Sequence, residues 1–217
     1  RHRHSKISGA GGTAESQHDL PLGSIHKHSV LEWVLAKAIF GHTPEMLKFF
    51  SEYTGVKYPW NKYSQVVVRD FVSGAMENTT ATIHYDALQV DDRQLLDNHW
   101  DGIISHELFH HWFGDLVTCE SWSNLPLNES FANYAEYLWA EHKYGFDEAT
   151  YLGENEKGDY FDEAEGKQES LIRYHYLDKE DMFDRHSYNK GGRVLHMLRY
   201  YVGDTAFSES LKLYLTR

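Results

Sequence analysis

Residues 106–110 of this chain read HELFH, and Glu129 follows after eighteen further residues. On a helix, side chains four positions apart share one face, so His106 and His110 can direct ring nitrogens at the same metal ion. Glu107 lies beside that face, where it can act as a base instead of a ligand. Two imidazoles and one carboxylate leave the fourth position of a tetrahedral zinc ion open to water. The stretch therefore predicts a catalytic zinc site with His106, His110 and Glu129 as ligands.

The alternative is a surface helix that carries these side chains by chance, because the chain contains 15 histidines in 217 residues. The neighbours of the motif argue against that alternative. They are large and apolar: Ile103, Ile104, Leu108, Phe109, Trp112 and Phe113. We therefore predict a buried helix near residues 99–113, whose histidines and acid need polar partners that a metal ion can supply.

Glu129 follows a polar, proline-containing turn over residues 124–128. Apolar residues with helical spacing continue from there to about Tyr144, which predicts a second helix. Asn128 is the expected N-cap, and Glu129 then lies in the first turn. Taken alone, Glu129 is equally well explained as a metal ligand and as an ordinary acid that the helix dipole favours at this position.

Two further motifs carry a resemblance to a known family. Residues 74–78 read GAMEN, and residues 187–191 read SYNKG. Together with the HELFH motif and Glu129, nineteen positions after His110, they make the chain similar to the gluzincin aminopeptidases of the M1 family. The resemblance runs from about Ala36 to the C-terminus.

This resemblance implies an α+β fold, a thermolysin-like zincin catalytic domain with a small mixed-sheet lobe and a mainly helical lobe. We expect the catalytic domain over residues 31–217. The sheet-bearing lobe with the zinc helix would cover residues 31–125, and the helical lobe would cover residues 126–217. Residues 1–30 have no counterpart in the family, and their composition favours a flexible N-terminal segment over a metal-binding or targeting arm.

The function implied by the resemblance is removal of single residues from the free N-termini of peptides, with one catalytic Zn²⁺ ion. Glu107 would take a proton from water and later deliver it to the leaving amine. Tyr188 would donate a hydrogen bond to the tetrahedral intermediate. Without the resemblance, Tyr188 would be interpreted as one of 15 tyrosines, most of which pack in or near a core.

The GAMEN motif is the expected substrate-binding segment. Its members are Gly74, Ala75, Met76, Glu77 and Asn78. The Glu77 carboxylate would pair with the substrate's α-ammonium group, a charge-assisted bond available only at a free N-terminus. Stretches over residues 65–71 and 80–85 favour strands on either side, and the resemblance puts the motif at a sheet edge where a peptide can add as a strand. By itself the segment would be an ordinary loop, with Met76 filling a gap and Asn78 in a turn.

Composition sets broader limits. Hydrophobic residues make up 41% of the chain and aromatic residues 15%, which is typical of a globular protein. The net charge of −12 disfavours nucleic acid and anionic membranes as partners. Peptides with a free N-terminus are the partners that the resemblance implies. No apolar run approaches the roughly 20 residues of a membrane span. Cys119 is the only cysteine, which excludes an internal disulfide and leaves the compartment open.

Three local expectations can be compared with the structure. Thr43 is the predicted N-cap of a helix with Pro44 at its first position, ending before Gly55. Residues 154–169 hold much of the negative charge and are expected to form an exposed face. Partners should orient the two zinc histidines, and although Asp101 and Asp115 are near in sequence, spacing selects neither.

Two other functions remain open at this point. A folded, zinc-binding fragment could be inactive without flanking domains, since family members are larger. A thermolysin-like endopeptidase would use the same zinc chemistry without recognising a free amine. Glu77 separates the endopeptidase from the aminopeptidase, because only the latter needs a carboxylate for the α-ammonium group.

Overall fold

A computed structural model describes residues 30–97 and 99–217. Its α-helices are α1 (Val30–Phe40), α2 (Thr43–Thr54), α3 (Gln94–Asp97), α4 (Asp101–Phe109), α5 (Pro126–Tyr144), α6 (Phe146–Ala164), α7 (Gly191–Val202) and α8 (Asp204–Thr216). Its strands are β1 (Ser64–Val68), β2 (Ala75–Met76) and β3 (Ala81–Tyr85). The prediction of a flexible segment over residues 1–30 lies, apart from Val30, outside the described residues.

The three strands form one small mixed sheet in the order β1-β3-β2. β1 runs parallel to β3, and the two residues of β2 pair antiparallel to it, with Ala75 opposite His84 and Met76 opposite Ile83. Three consecutive valines in β1 suit a pleated, half-buried strand. β2 is thus an edge strand of the described sheet, and it comes from the GAMEN motif.

Helix α4 lies in the middle of the core and packs along α5. Its side chains are apolar around most of the helix, and the large residues Ile104, Leu108 and Phe109 are almost fully buried. Phe50 of α2 contacts Phe109 edge to face, with ring centroids 4.9 Å apart. The prediction of a buried helix is confirmed, and the small sheet with a mainly helical remainder confirms the predicted α+β class.

The predicted end of the zinc helix at residue 113 was too late. α4 ends at Phe109, and His110 follows in helical conformation as its C-cap. The chain then reverses at Gly114, whose φ of 149° favours glycine, and the Asp115 N–H donates to the His110 carbonyl oxygen. Gly114 permits this reversal. The apolar residues around it had suggested that the helix continues to residue 113.

Two predicted N-caps were also wrong. His42 precedes α2, and the Thr43 hydroxyl donates to Gln65 Oε1 at 2.9 Å, so it links the helix to β1 instead of capping. Asn128 lies inside α5, where its Oδ1 accepts the backbone N–H of Cys119 at 3.1 Å. In both cases a tertiary contact competes with the local cap. Glu129 still lies in the first turn of α5, as predicted.

Helix α6 departs from the predicted exposed acidic face at one residue. Glu156 is buried, and its Oε1 accepts a hydrogen bond from Asn133 Nδ2 of α5 at 2.9 Å. Burial, followed by the charge of Glu136, raises the pKa of Glu156 to about 8. Within the described residues, no helix is both long and apolar enough to cross a membrane.

Candidate metal centre and substrate cleft

The three predicted ligands converge between α4 and α5. Glu129 Oε2 lies 3.3 Å from His106 Nε2 and 3.2 Å from His110 Nε2. The candidate ligand atoms of these residues all lie within 4.8 Å of one another, and all three residues are buried. Because His106 and His110 are one helical turn apart, α4 presents both imidazoles to the same point, and the first turn of α5 presents the carboxylate.

The other ring nitrogen of each histidine is anchored. His106 Nδ1 lies 2.8 Å from Glu136 Oε1, and His110 Nδ1 lies 3.0 Å from the carbonyl oxygen of Phe113. A carboxylate and a carbonyl oxygen can only accept, so both histidines donate from Nδ1 and turn Nε2 toward Glu129. That is the orientation a metal ligand requires, with Nε2 as the atom that would bind the ion.

Glu136 was missed by the sequence analysis, although a signal for it existed. It follows Glu129 by seven residues, which is two turns along the same face of α5. Gly102 of α4 makes room for it, since a Cβ there would lie 3.1 Å from Glu136 Oε2. Asp101 instead accepts hydrogen bonds from the side chains of Trp139 and Tyr144.

The electrostatics of the three candidate ligands favour a bound cation. Burial lowers the pKa of both histidines, but contact with Glu129 outweighs it, so that the pKa of His110 rises to about 9 and that of His106 also rises. Burial would raise the pKa of Glu129, yet the two imidazoles hold it below its usual range. The donors are two imidazole nitrogens and one carboxylate, the set that fits a catalytic zinc ion with an open fourth position.

Glu107 lies beside the three candidate ligands and is not a member of their group. It is 6% exposed, and its Oε2 has no hydrogen-bond partner within the described residues. Burial raises the pKa of Glu107 to about 7. A buried carboxylate oxygen without a partner is costly, and water or a substrate group in the cleft would satisfy it.

A cleft of about 1600 Å³ opens onto this centre. Gly74, Ala75, Met76 and Glu77 line it from the side of the sheet edge. Asn78 is not among the lining residues; its carbonyl oxygen accepts the Ala81 N–H at 2.8 Å and supports the turn into β3. The structure therefore brings four of the five GAMEN residues to the cleft and gives the fifth the turn role.

Tyr188, which lies between α6 and α7, lines the same cleft. Its ring stacks on His106, with centroids 5.9 Å apart and planes 9° from parallel. Burial, together with the negative charge of Glu129, raises the pKa of the Tyr188 phenol. The hydroxyl is therefore protonated at neutral pH and can donate a hydrogen bond beside the candidate metal position.

Comparison with known proteins agrees with this geometry. Residues 39–217 match the model of the Peptidase family M1 domain. Aminopeptidase M1-A of Oryza sativa subsp. japonica is 36% identical over 180 residues, which cover 79% of this chain and 20% of that protein. A mutant M1 zinc metallopeptidase of Deinococcus radiodurans, solved with a Tyr-Ser-Ala substrate, is 31% identical with a TM-score of 0.61, over 81% of this chain and 36% of the other.

Yeast LTA4 hydrolase in complex with bestatin shares the fold, with a TM-score of 0.73 at 23% identity, over 82% of this chain and 29% of that one. The fold is thus that of the M1 metallopeptidases. The chain belongs to peptidase family M1, which confirms the resemblance inferred from its motifs. It spans between 20% and 24% of the length of curated relatives such as the rice enzyme and Aminopeptidase N of Streptomyces lividans.

Proposed function

We propose that this chain is the catalytic domain of a zinc-dependent aminopeptidase, which hydrolyses the first peptide bond of substrates with a free N-terminus. The observation that carries the proposal is the convergence of His106, His110 and Glu129, with both Nδ1 atoms anchored. Beside them, Glu107 Oε2 has no hydrogen-bond partner in the part of the chain that the structure describes. Relatives named as aminopeptidases and as M1 zinc metallopeptidases support it.

In this proposal residues 31–217 form one catalytic domain, divided into lobes at residues 31–125 and 126–217. The divide falls just before α5, so that α4 supplies two ligands from one lobe and α5 supplies Glu129 from the other. When bound by these three side chains, zinc polarises the scissile carbonyl and makes water more acidic.

Glu107 is the proposed general base. Its carboxylate takes a proton from the water that attacks the carbonyl carbon, and the carboxylic acid then donates that proton to the leaving nitrogen. Proton balance is kept, because the one proton removed from water returns on the amine product. Its position in the lining of the cleft, and its Oε2 without a hydrogen-bond partner among the described residues, support this role.

Tyr188 is the proposed hydrogen-bond donor to the tetrahedral intermediate. Negative charge develops on the former carbonyl oxygen, and a donor fixed in advance stabilises that charge without reorganisation. The raised pKa of Tyr188 keeps its proton available for this bond. Stacking on the ligand His106 brings the phenol close to where the carbonyl would lie.

The sheet edge is the proposed substrate platform. β2 pairs with β3 on one side only, so the backbone groups on its free edge can pair with an extended peptide. Glu77 directly follows β2 and lines the cleft, where its carboxylate can hold the substrate's α-ammonium group. This contact limits cleavage to the first residue of a chain.

The proposal is tested by hydrolysis of an aminoacyl chromogenic substrate and its N-acetylated twin, using zinc-loaded protein. We expect cleavage of the free amine alone, and a large loss of that cleavage in Glu77→Gln with zinc still bound. Cleavage of both substrates would favour an endopeptidase-like site. Cleavage of neither, with zinc bound, would favour an inactive zinc-binding fragment, and either result would contradict the proposal.

A further inference from the structure

Tyr188 lies in a short π-helix over residues His186–Lys190. A π-helical turn is much rarer than an α-helical one, so the contacts that surround it are of interest. Helix α5 supplies one such contact, because Ser130 Oγ donates to the Ser187 carbonyl oxygen at 2.6 Å. The approach is close: a Cβ at Gly191 would lie 1.8 Å from Ser130 Oγ.

An ionic clamp, formed by Arg173, Asp184 and Ser187, holds the residue immediately before Tyr188. Arg173 is 7% exposed, and its two terminal nitrogens donate to the two Asp184 carboxylate oxygens at 2.7 and 2.9 Å. Arg173 Nη2 also donates to Ser187 Oγ at 2.9 Å, and the Ser187 N–H donates to Asp184 Oδ1 at 3.0 Å. With the contact from α5, the N–H, the carbonyl oxygen and the hydroxyl of Ser187 are all bound.

The same region contains a possible cation-binding group, since candidate ligand atoms of Glu163, Asp184 and His186 lie within 4.8 Å of one another. Its charge is already balanced, because Lys167 Nζ and Arg173 both donate to Asp184. His186 Nε2 accepts a backbone N–H and His186 Nδ1 contacts Glu163 at 2.8 Å, so neither ring nitrogen offers a free lone pair. The group is therefore a structural ion network.

We propose that Arg173 is a positioning residue for the reaction, which acts through the clamp to fix the direction of the Tyr188 hydroxyl. The inference rests on the proposed function, because the direction of this hydroxyl matters only if the site stabilises an oxyanion. Displacement of a catalytic group by about 1 Å can cost about 10²-fold in rate. A planar guanidinium that binds both oxygens of Asp184 restrains the π-helix in a way that the single ammonium of lysine does not.

The test is a double-mutant cycle on zinc-loaded protein with Arg173→Lys, Tyr188→Phe and the double variant. We expect Tyr188→Phe to lower kcat by about 10²-fold, and Arg173→Lys to lower it about tenfold with KM changed by less than about twofold. The double variant should match Tyr188→Phe alone, since the arginine has no hydroxyl left to position. Additive losses, or an unchanged kcat in Arg173→Lys, would overturn the proposal.

Arg199→Lys is the matched control. Arg199 is a partly buried arginine in the last turn of α7, and it binds Glu141 at 2.7 Å and Asp204 at 2.6 Å. None of these three residues lines the cleft. We expect this variant to lose stability and to retain kcat. An equal loss of kcat in Arg199→Lys would mean that the arginine effect is only a general loss of stability, and would contradict the proposal.

Hydrogen exchange over residues 184–190 separates failure of the clamp from failure of the proposed function. Arg173→Lys should accelerate exchange there and Arg199→Lys should not, whether or not the protein hydrolyses peptides; unchanged exchange in Arg173→Lys would overturn the clamp. If Arg173→Lys does not fold, Ser187→Ala removes only the hydroxyl contact. Its expected loss of kcat is about threefold, and it should vanish in the Tyr188→Phe background.

Discussion

The proposed zinc ligands and Tyr188 face the same cleft but are held in place in different ways. His106 and His110 are positioned by the regular period of α4, and a second helix brings Glu129 to them. Tyr188 depends on a π-helix that is fixed by a charged network from a separate part of the chain. The geometry of the proposed metal centre thus results from helix packing, whereas that of the proposed oxyanion donor depends on buried ion pairs.

We expect the largest loss of stability from a substitution in the ionic clamp. Asp184→Asn leaves Arg173 buried without its charged partner, which costs about 3 kcal/mol of unfolding free energy at neutral pH. Burial would raise the pKa of Asp184, but hydrogen bonds from Arg173 and Lys167 lower it to about 2, from 3.8. The stabilisation by this carboxylate is therefore complete above about pH 4 and is lost as the pH falls towards 2.

Urea unfolding of both proteins between pH 7 and pH 2 measures this difference. The difference in unfolding free energy between the parent and Asp184→Asn should become smaller between about pH 4 and pH 2. Asp159→Asn is the control, because Asp159 is exposed and its ion pair with Arg185 spans 3.5 Å. We expect the unfolding free energy of this variant to be almost equal to that of the parent. A gap for Asp184→Asn that stays constant down to pH 2 would show that the clamp does not depend on the charge.

A smaller effect, on metal affinity instead of stability, should come from Glu136. Glu136→Gln replaces the carboxylate that holds His106 Nδ1 at 2.8 Å, and such partners typically contribute 10- to 100-fold in metal affinity. We therefore expect zinc affinity to fall by about that factor, with kcat at saturating zinc nearly unchanged. Competition with a chromogenic chelator measures the zinc affinity. If Glu136→Gln binds zinc as tightly as the parent, Glu136 does not orient His106 for metal binding.

The features that could be predicted from the sequence are those that depend on residues close together in the chain. The two histidines on α4, the acid in the first turn of α5, the β-prone stretches around the GAMEN motif and the glycine that ends α2 can each be inferred from a few neighbouring residues. Gly55 has φ of 64°, which explains why glycine stops the helix there.

What the sequence did not predict depends on distant partners. Thr43 and Asn128 are good capping residues, yet β1 and the Cys119 backbone bind their side chains instead. Nothing in the local pattern around Arg173 indicates that it meets Asp184, because the contact exists only when the chain has folded. Asn78 differs from these residues, because its contact with Ala81 is local and its residue type already suggested a turn.

The measurement that tests the account most directly is zinc content and hydrolysis in Glu107→Gln and Glu129→Gln, two identical changes at neighbouring buried glutamates. We predict that Glu107→Gln keeps one zinc per chain and loses about 10²- to 10⁴-fold in kcat, and that Glu129→Gln loses zinc itself. Glu129→Gln with full zinc content, or Glu107→Gln without zinc, would contradict the assignment of one glutamate as ligand and the other as base.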